Sequence, residues 1–261
     1  MEKNTSIHVA GVNFFARQKG ENPNAVFIHG FGDSLNTWDG LWSELGESFS
    51  GLRYDLRGFG RSVSHDDQRF SHTDDLLAIV DASNIERCDL IGVSMGGGIA
   101  LNFALNHPDR VSKLVLISPA ITAWEWSAGW KMLWQLIVTS ARAGDMDKAR
   151  ELWWQHPVFA SARDSSVAEV LRESIRHYSG AQWVRDYQQH GLPDIERLDQ
   201  LKPPTLLLTG GRDVEDFRLI ADVIEAGANP VSRVDFAGLG HLLHMEDAVA
   251  CADEITRFIS K

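Results

Sequence analysis

Leu90-Ile-Gly92-Val93-Ser94-Met95-Gly96-Gly97-Gly98-Ile-Ala-Leu carries an apolar run into a serine with glycine two residues before and two after it, and then into a helical pattern. A Gly-x-Ser-x-Gly turn between strand and helix holds its serine in strained backbone geometry. Flanking residues without a Cβ let the neighbouring chain approach. The hydroxyl is thereby raised above the sheet, at a helix N-terminus whose unpaired N–H groups and dipole favour the negative charge that develops during attack. The bland alternative is a tight Gly-rich turn with an incidental serine. The strand before it and Gly97-Gly98 after it favour the nucleophile.

Outward from this turn, short apolar runs alternate with amphipathic stretches, the pattern of parallel strands crossed over by helices. The runs Ala25–Ile28, Leu52–Asp55, Asp89–Val93 and Lys113–Ser118 read as strands before the middle of the chain, Thr205–Thr209 and Arg233–Phe236 after it. Trp38, Leu41, Trp42 and Leu45 recur at three- and four-residue spacing, as do Leu76, Leu77, Ile79 and Val80. These segments read as helices packed on a sheet, joined late in the chain by Phe217–Ala226 and Ala248–Ile259. The fold class expected is α/β.

From Ile121 to His190 no strand-like run occurs, only helical patterns broken near Gly144, Pro157 and Gly180. This predicts a core built from 1–120 and 191–261 with a helical cap over 121–190. Seven of the nine tryptophans fall in that stretch. Large rings gathered outside the sheet suggest a cap whose inner face lines a pocket. Trp124, Trp130, Trp134, Trp153 and Trp183 are the candidates for substrate contact, with stitching of the cap to the core as the rival role.

Composition narrows the partners. The 261 residues are 44% hydrophobic and 23% charged, ordinary for a globular protein. A formal charge of −11 without a local basic patch gives no drive for nucleic-acid binding. Met1-Glu-Lys-Asn-Thr-Ser has no apolar signal core, and no stretch approaches a membrane span, so a cytoplasmic protein and no membrane partner are expected. Cys88 and Cys251 form no disulfide framework and no metal-ligand cluster. Neither a metal nor another cofactor is expected, and the partner is a small-molecule substrate.

Two further segments join the serine turn. His29-Gly30-Phe31-Gly32 follows the first strong strand, and Asp55-Leu-Arg57-Gly58-Phe59-Gly60-Arg61-Ser62 follows the second. With these three motifs in this order, nearly the whole chain resembles the α/β-hydrolase family. The resemblance implies an eight-stranded, mostly parallel sheet with the cap inserted after strand 6, and a serine nucleophile followed by an acid and a histidine.

A serine hydroxyl attacks at neutral pH only with a histidine in hydrogen-bond reach and a carboxylate to fix that histidine's tautomer. Asp213 follows the strand Thr205–Thr209 through Gly210-Gly-Arg and looks like the family's acid position; Glu215 and Asp216 are its rivals. His241, in Gly240-His241-Leu-Leu-His244-Met-Glu246, matches the family's Gly-His followed by Glu. His244 is the alternative base, with a supporting or cap-packing role assigned otherwise. The family often has a proline two residues after that glutamate, where Ala248 stands here. Two N–H donors must meet the oxyanion of a tetrahedral intermediate. Met95 supplies one, and by analogy with the family Phe31 supplies the other. His29 is expected beneath its turn as a structural residue, and Arg57 and Arg61 as scaffold ion pairs.

A serine at the turn disfavours the family branches that displace at saturated carbon through a carboxylate nucleophile. Acyl transfer to water remains, and the expected activity is hydrolysis of a carboxylic ester, lactones included, of a small to medium, partly apolar substrate. A carbon–carbon bond hydrolase or lyase shares the same residues. Its members usually place Trp directly after the histidine, where Leu242 stands here, but Arg142, Arg163, Arg172, Arg176 and Arg185 in the cap offer partners for an acidic substrate. A non-catalytic ligand receptor is the reading from another class. Loss of Ser, His or the acid would argue for it.

Overall fold

The protein is described from a computed structural model over residues 2–46, 49–63 and 68–260. Its strands are β1 (Glu2–Val9), β2 (Val12–Lys19), β3 (Ala25–Ile28), β4 (Gly51–Tyr54), β5 (Cys88–Val93), β6 (Val111–Ile117), β7 (Thr205–Gly210) and β8 (Val231–Phe236). They form one eight-stranded sheet in the order β1-β2-β4-β3-β5-β6-β7-β8. β2 runs antiparallel to both its neighbours, and every pairing from β4 to β8 is parallel. Strands buried on both faces read as continuous apolar runs because each successive side chain enters an apolar layer. Val26, Ile28, Leu90, Leu114, Leu116 and Leu207 fill one layer. Phe27, Ile91, Val93, Val115, Ile117 and Leu208 fill the other.

Helices α1 (Asp39–Glu44), α2 (His72–Ala82) and α3 (Met95–Asn106) are the crossovers of the first half. Between β6 and β7 lie α4 (Ala128–Arg142), α5 (Met146–Trp154), α6 (Ala160–Arg163), α7 (Ala168–His177) and α8 (Ala181–Val184); α9 (Glu215–Gly227), α10 (Leu243–Glu246) and α11 (Ala248–Ile259) close the chain.

The expected strands match β3 to β8 within two residues at each end, but the residue pattern did not locate the β1–β2 hairpin. Ala10 and Gly11, at φ of 49° and 74°, form the two-residue turn between Val9 and Val12. Positive φ at both positions matches the right-handed twist of the paired strands. β1 is an edge strand with side chains mostly in solvent, so its sequence Glu-Lys-Asn-Thr-Ser-Ile-His-Val lacks the apolar signal of the central strands. The alternation of Val12, Phe14 and Ala16, all buried, was the available clue.

Two carboxylates fasten the helical segment between β6 and β7. Asp194, fully buried after it, accepts hydrogen bonds from Asn102 Nδ2 on α3 and from Arg197, both at 2.7 Å, and from the Thr122 hydroxyl before it. Asp216 on α9 accepts from the Ser127 N–H at 3.0 Å and hydroxyl at 2.7 Å, and from Trp124 Nε1 at 3.1 Å. The first loop after β4 is held similarly. Arg57 pairs bidentately with Asp75 at 2.6 and 2.8 Å, a buried ion pair as expected, and losing either partner would cost about 3–5 kcal/mol by leaving a buried charge. The Arg61 guanidinium lies 3.7 Å from the Phe15 ring centroid, a cation–π contact, and among the described residues it makes no ion pair.

Candidate active site

Ser94 terminates β5 at φ 54°, ψ −119°, and α3 begins at the next residue. Non-glycine residues reach positive φ only under constraint. The constraint comes from close packing of the adjoining chain. A Cβ on Gly92 would stand 2.3 Å from the Gly96 carbonyl oxygen, and one on Gly96 would stand 2.2 Å from that of Ile28. Both glycines are thus dictated by contact with backbone that cannot give way. The Ser94 carbonyl accepts the Gly98 and Ala120 N–H groups at 3.0 and 2.9 Å, which leaves the half-buried side chain on a cavity wall.

Asp213 follows β7 and His241 follows β8, both buried. His241 Nδ1 donates to Asp213 Oδ2 at 2.9 Å, and the other Asp213 oxygen accepts the Val214 N–H at 2.7 Å. With Nδ1 so engaged, a neutral imidazole has Nε2 free to accept a proton. Ser94 and His241 line the same cavity, yet no hydrogen bond joins them among the described residues. Such bonds are often long before substrate arrives and tighten in the reacting complex.

Two of the rival residues have other partners. Asp216 is committed to Trp124 and Ser127. His244 packs beside the layer that holds Trp38 and Leu243 instead of against the helical segment: its Nε2 is 2.9 Å from the Thr37 hydroxyl, its ring lies 4.7 Å from that of Trp38 at a tilt of 49°, and burial pushes its pKa down to about 3. His29 takes the structural place expected, accepting the Leu56 N–H on Nε2 at 2.9 Å while Nδ1 meets the Gly30 carbonyl at 2.7 Å.

Phe31 and Met95 flank Ser94 in the same wall. A Cβ on Gly30 would reach 3.4 Å from the Ser94 Cβ, so the His29-Gly30-Phe31 turn is pressed against the serine. Neither the Phe31 nor the Met95 amide donates to another protein group among the described residues. Two unspent donors beside a half-buried hydroxyl are what an oxyanion requires.

The cavity holds about 350 Å³. Trp130, Trp134 and Trp153 line it as expected, but Trp124 and Trp183 do not. Trp124 turns its Nε1 to Asp216, and Trp183 is fully buried against Tyr178 at 4.8 Å, packing the segment onto the core. Trp126, Phe159, Leu171 and Phe217 complete the apolar wall and escaped the sequence reading. Trp126 precedes Trp130 by one helical turn and stacks on it at 4.5 Å, a spacing that could have flagged it. Behind Trp130, His156 is pushed down to about 4 by burial, then by His241 and Arg163. A wider cleft of about 1540 Å³ adjoins the cavity and shares Gly32, Asp33, Thr37, Ser174 and Asp186 with it.

No arginine lines the cavity among the described residues. Arg142, Arg163 and Arg185 reach the Val184 carbonyl, the Trp154 and His156 carbonyls, and the Tyr187 hydroxyl. Arg172 and Arg176 pair with Glu151 and Glu173. Also among the described residues, no cluster of His, Cys, Asp and Glu could hold a metal, and no helix is long and apolar enough to cross a membrane.

Residues 24–248 match the profile of the alpha/beta hydrolase fold family. The chain belongs to the α/β-hydrolase family. Among α/β hydrolases it is 33% identical over 134 residues to the 2-hydroxymuconate semialdehyde hydrolase of Pseudomonas sp. strain CF600, a match covering 49% of this chain and 47% of that relative, under half its length. It is 28% identical over 250 residues to the pimeloyl-[acyl-carrier protein] methyl ester esterase of Nitrosomonas europaea, covering 90% and 96%. In fold it is similar to the enol-lactonase of Burkholderia xenovorans LB400, with a TM-score of 0.83 at 21% identity over 98% and 100% of the two chains.

Proposed function

We propose that the protein is a serine hydrolase that cleaves a carboxylic ester, lactones included, of a small to medium and partly apolar substrate through an acyl-enzyme at Ser94. One observation carries this reading: the strained Ser94 and the Asp213-bonded His241 share an aromatic cavity beside two unspent backbone donors. Ser94 Oγ attacks the ester carbonyl as His241 Nε2 takes its proton. Asp213 holds the ring by Nδ1 and stabilises the imidazolium that forms. The Phe31 and Met95 N–H groups receive the oxyanion. His241 then returns the proton to the departing alkoxide; water, deprotonated by the same nitrogen, cleaves the acyl-enzyme and releases the acid and Ser94.

At interior packing density, 350 Å³ accommodates ~260 Å³ of substrate atoms, which favours a compact acyl or ring portion. The helices between β6 and β7 serve as its cap, with 121–190 as the unit that decides what enters. Every group the reaction uses belongs to the chain or is water, so the reading needs no partner beyond a small molecule, and it suits a cytoplasmic enzyme.

Carbon–carbon bond hydrolysis is the second reading, favoured by the name of the Pseudomonas relative. Leu242 after the histidine weighs against that reading, and Lys131, the cation that the described cavity wall does hold, is paired with Glu125. A burst assay with p-nitrophenyl acetate and butyrate separates the readings. Steady turnover abolished in Ser94→Ala supports the esterase; stoichiometric release without turnover means a receptor; inertness toward both esters moves the case to the carbon–carbon substrate.

A further inference from the structure

Beyond the groups that touch substrate, one carboxylate joins the loop carrying His241 to the helical segment above it. Glu246, at the end of α10, receives two hydrogen bonds on the same oxygen: Gly240 N–H at 3.1 Å and the Ser161 hydroxyl of α6 at 2.5 Å. Its other oxygen, Oε1, is buried with no hydrogen-bond partner among the described residues. A solvated glutamate would not leave a carboxylate oxygen bare, because an unpaired buried charge-bearing atom forfeits its hydration. The side chain is therefore held in by what Oε2 does.

The packing shows what that is. A Cβ on Gly240 would stand 2.4 Å from the Ser161 Cβ, so α6 rests directly on the backbone preceding His241. Ser161 is itself buried. From the loop after β7, the Arg212 N–H donates to the Leu239 carbonyl at 2.9 Å and Asp213 holds the imidazole, so the backbone before His241 is fixed on one side by that loop and on the other through Glu246.

We infer that Glu246 is a positioning residue that makes the placement of His241 depend on α6 being seated. The inference rests on the acyl-transfer reading of Ser94 and His241. When α6 is in place, Ser161 and Gly240 converge on one oxygen and the His241 backbone is locked. Were the segment to lift, the Ser161 bond breaks and Glu246 loses one of the two constraints that aim it at Gly240. Productive geometry at the base would then follow cap closure.

The test uses the full chain, with Glu246→Ala, Glu246→Gln and Ser161→Ala followed on p-nitrophenyl butyrate and by the rate at which a fluorophosphonate probe labels Ser94. A displacement of the base of about 1 Å costs roughly 100-fold. Glu246→Ala should lose kcat on that scale with KM within about threefold, and label more slowly in proportion; Glu246→Gln, which keeps an acceptor, should recover most of the loss. Ser161→Ala should lower kcat in the same direction, and it carries the test alone if Glu246→Ala does not fold. Unchanged kcat and labelling rate in Ser161→Ala and in a folded Glu246→Ala overturn the inference, as does an effect confined to KM. Failure of wild type to label at Ser94 would instead remove the acyl-transfer reading beneath it.

Discussion

The Phe217 ring lies 4.2 Å from the His241 imidazole, centroid to centroid and inclined by 51°. Phe217 enters from the first turn of α9, four residues after Asp213, so one short stretch from loop to helix supplies both the carboxylate that holds Nδ1 of the imidazole and a ring packed against it. On its far side Phe217 meets Trp126 at 5.4 Å and Trp130 at 5.6 Å. The base and the substrate wall are thus joined in one aromatic cluster of tilted and edge-on contacts. Phe217→Leu, which keeps most of the volume, should lower kcat about tenfold by loosening the imidazole. Phe217→Ala should also cost about 3–5 kcal/mol in urea unfolding, because the side chain is buried. Wild-type kcat in Phe217→Leu would refute the positioning role.

Removing the hydroxyl in Ser94→Ala, or the base in His241→Ala, should each cost several orders of magnitude in kcat, and the double variant little more, because such residues act as a unit. Asp213→Asn should fall by about 10⁴ through the wrong imidazole tautomer. Asp216→Ala should instead leave most of kcat and lower stability by about 1–3 kcal/mol, as the Ser127 and Trp124 donors lose their acceptor. Comparing rates with unfolding midpoints distinguishes the two aspartates, and the reverse ranking would make Asp216 the acid.

Within the tryptophans the structure separates wall from scaffold. Trp130→Ala and Trp134→Ala should shift the preference among acetate, butyrate and hexanoate esters more than the rate on acetate. Trp183→Ala should leave that preference in place and cost about 3–5 kcal/mol, since the ring is fully enclosed. A profile unchanged by both wall substitutions would show that those rings only hold the segment down.

Burial depresses the pKa of His72 to about 3, of His156 to about 4 and of His244 to about 3. Each is neutral in the folded chain and takes up a proton near 6.5 when unfolded. Protons therefore favour the unfolded state below 6.5, and stability falls with pH until the folded values are reached. Between pH 6.5 and 5 each contributes ~2 kcal/mol of destabilisation. Urea midpoints measured at pH 7 and pH 5 should differ accordingly. A midpoint insensitive to that change would mean that these rings are protonated or solvated in the native state.

Much of the core was legible because its chemistry is local. Gly92 and Gly96 announce the serine turn, since their neighbours are backbone atoms fixed by the fold itself, Asp213 stands just past the apolar run of β7, and His241 follows a glycine after β8. The first hairpin escaped because an edge strand needs no apolar run. The cavity wall was only half visible for another reason. Whether Trp124 or Trp126 faces inward depends on where Ser127 caps α4 and on Asp216 taking the Trp124 indole, a contact 92 residues away along the chain. Helical spacing carries no trace of that distant partner.

Thr122 and Asp194, joined by a hydrogen bond and tied through Asn102 to α3, bring the two roots of the intervening helices to one point on the scaffold. An insert whose entry and exit share a single anchor can be exchanged for another of different length without disturbing the sheet. Evolution, or a protein engineer, could therefore splice new selectivity onto this chemistry at one joint while the reacting groups stay where they are.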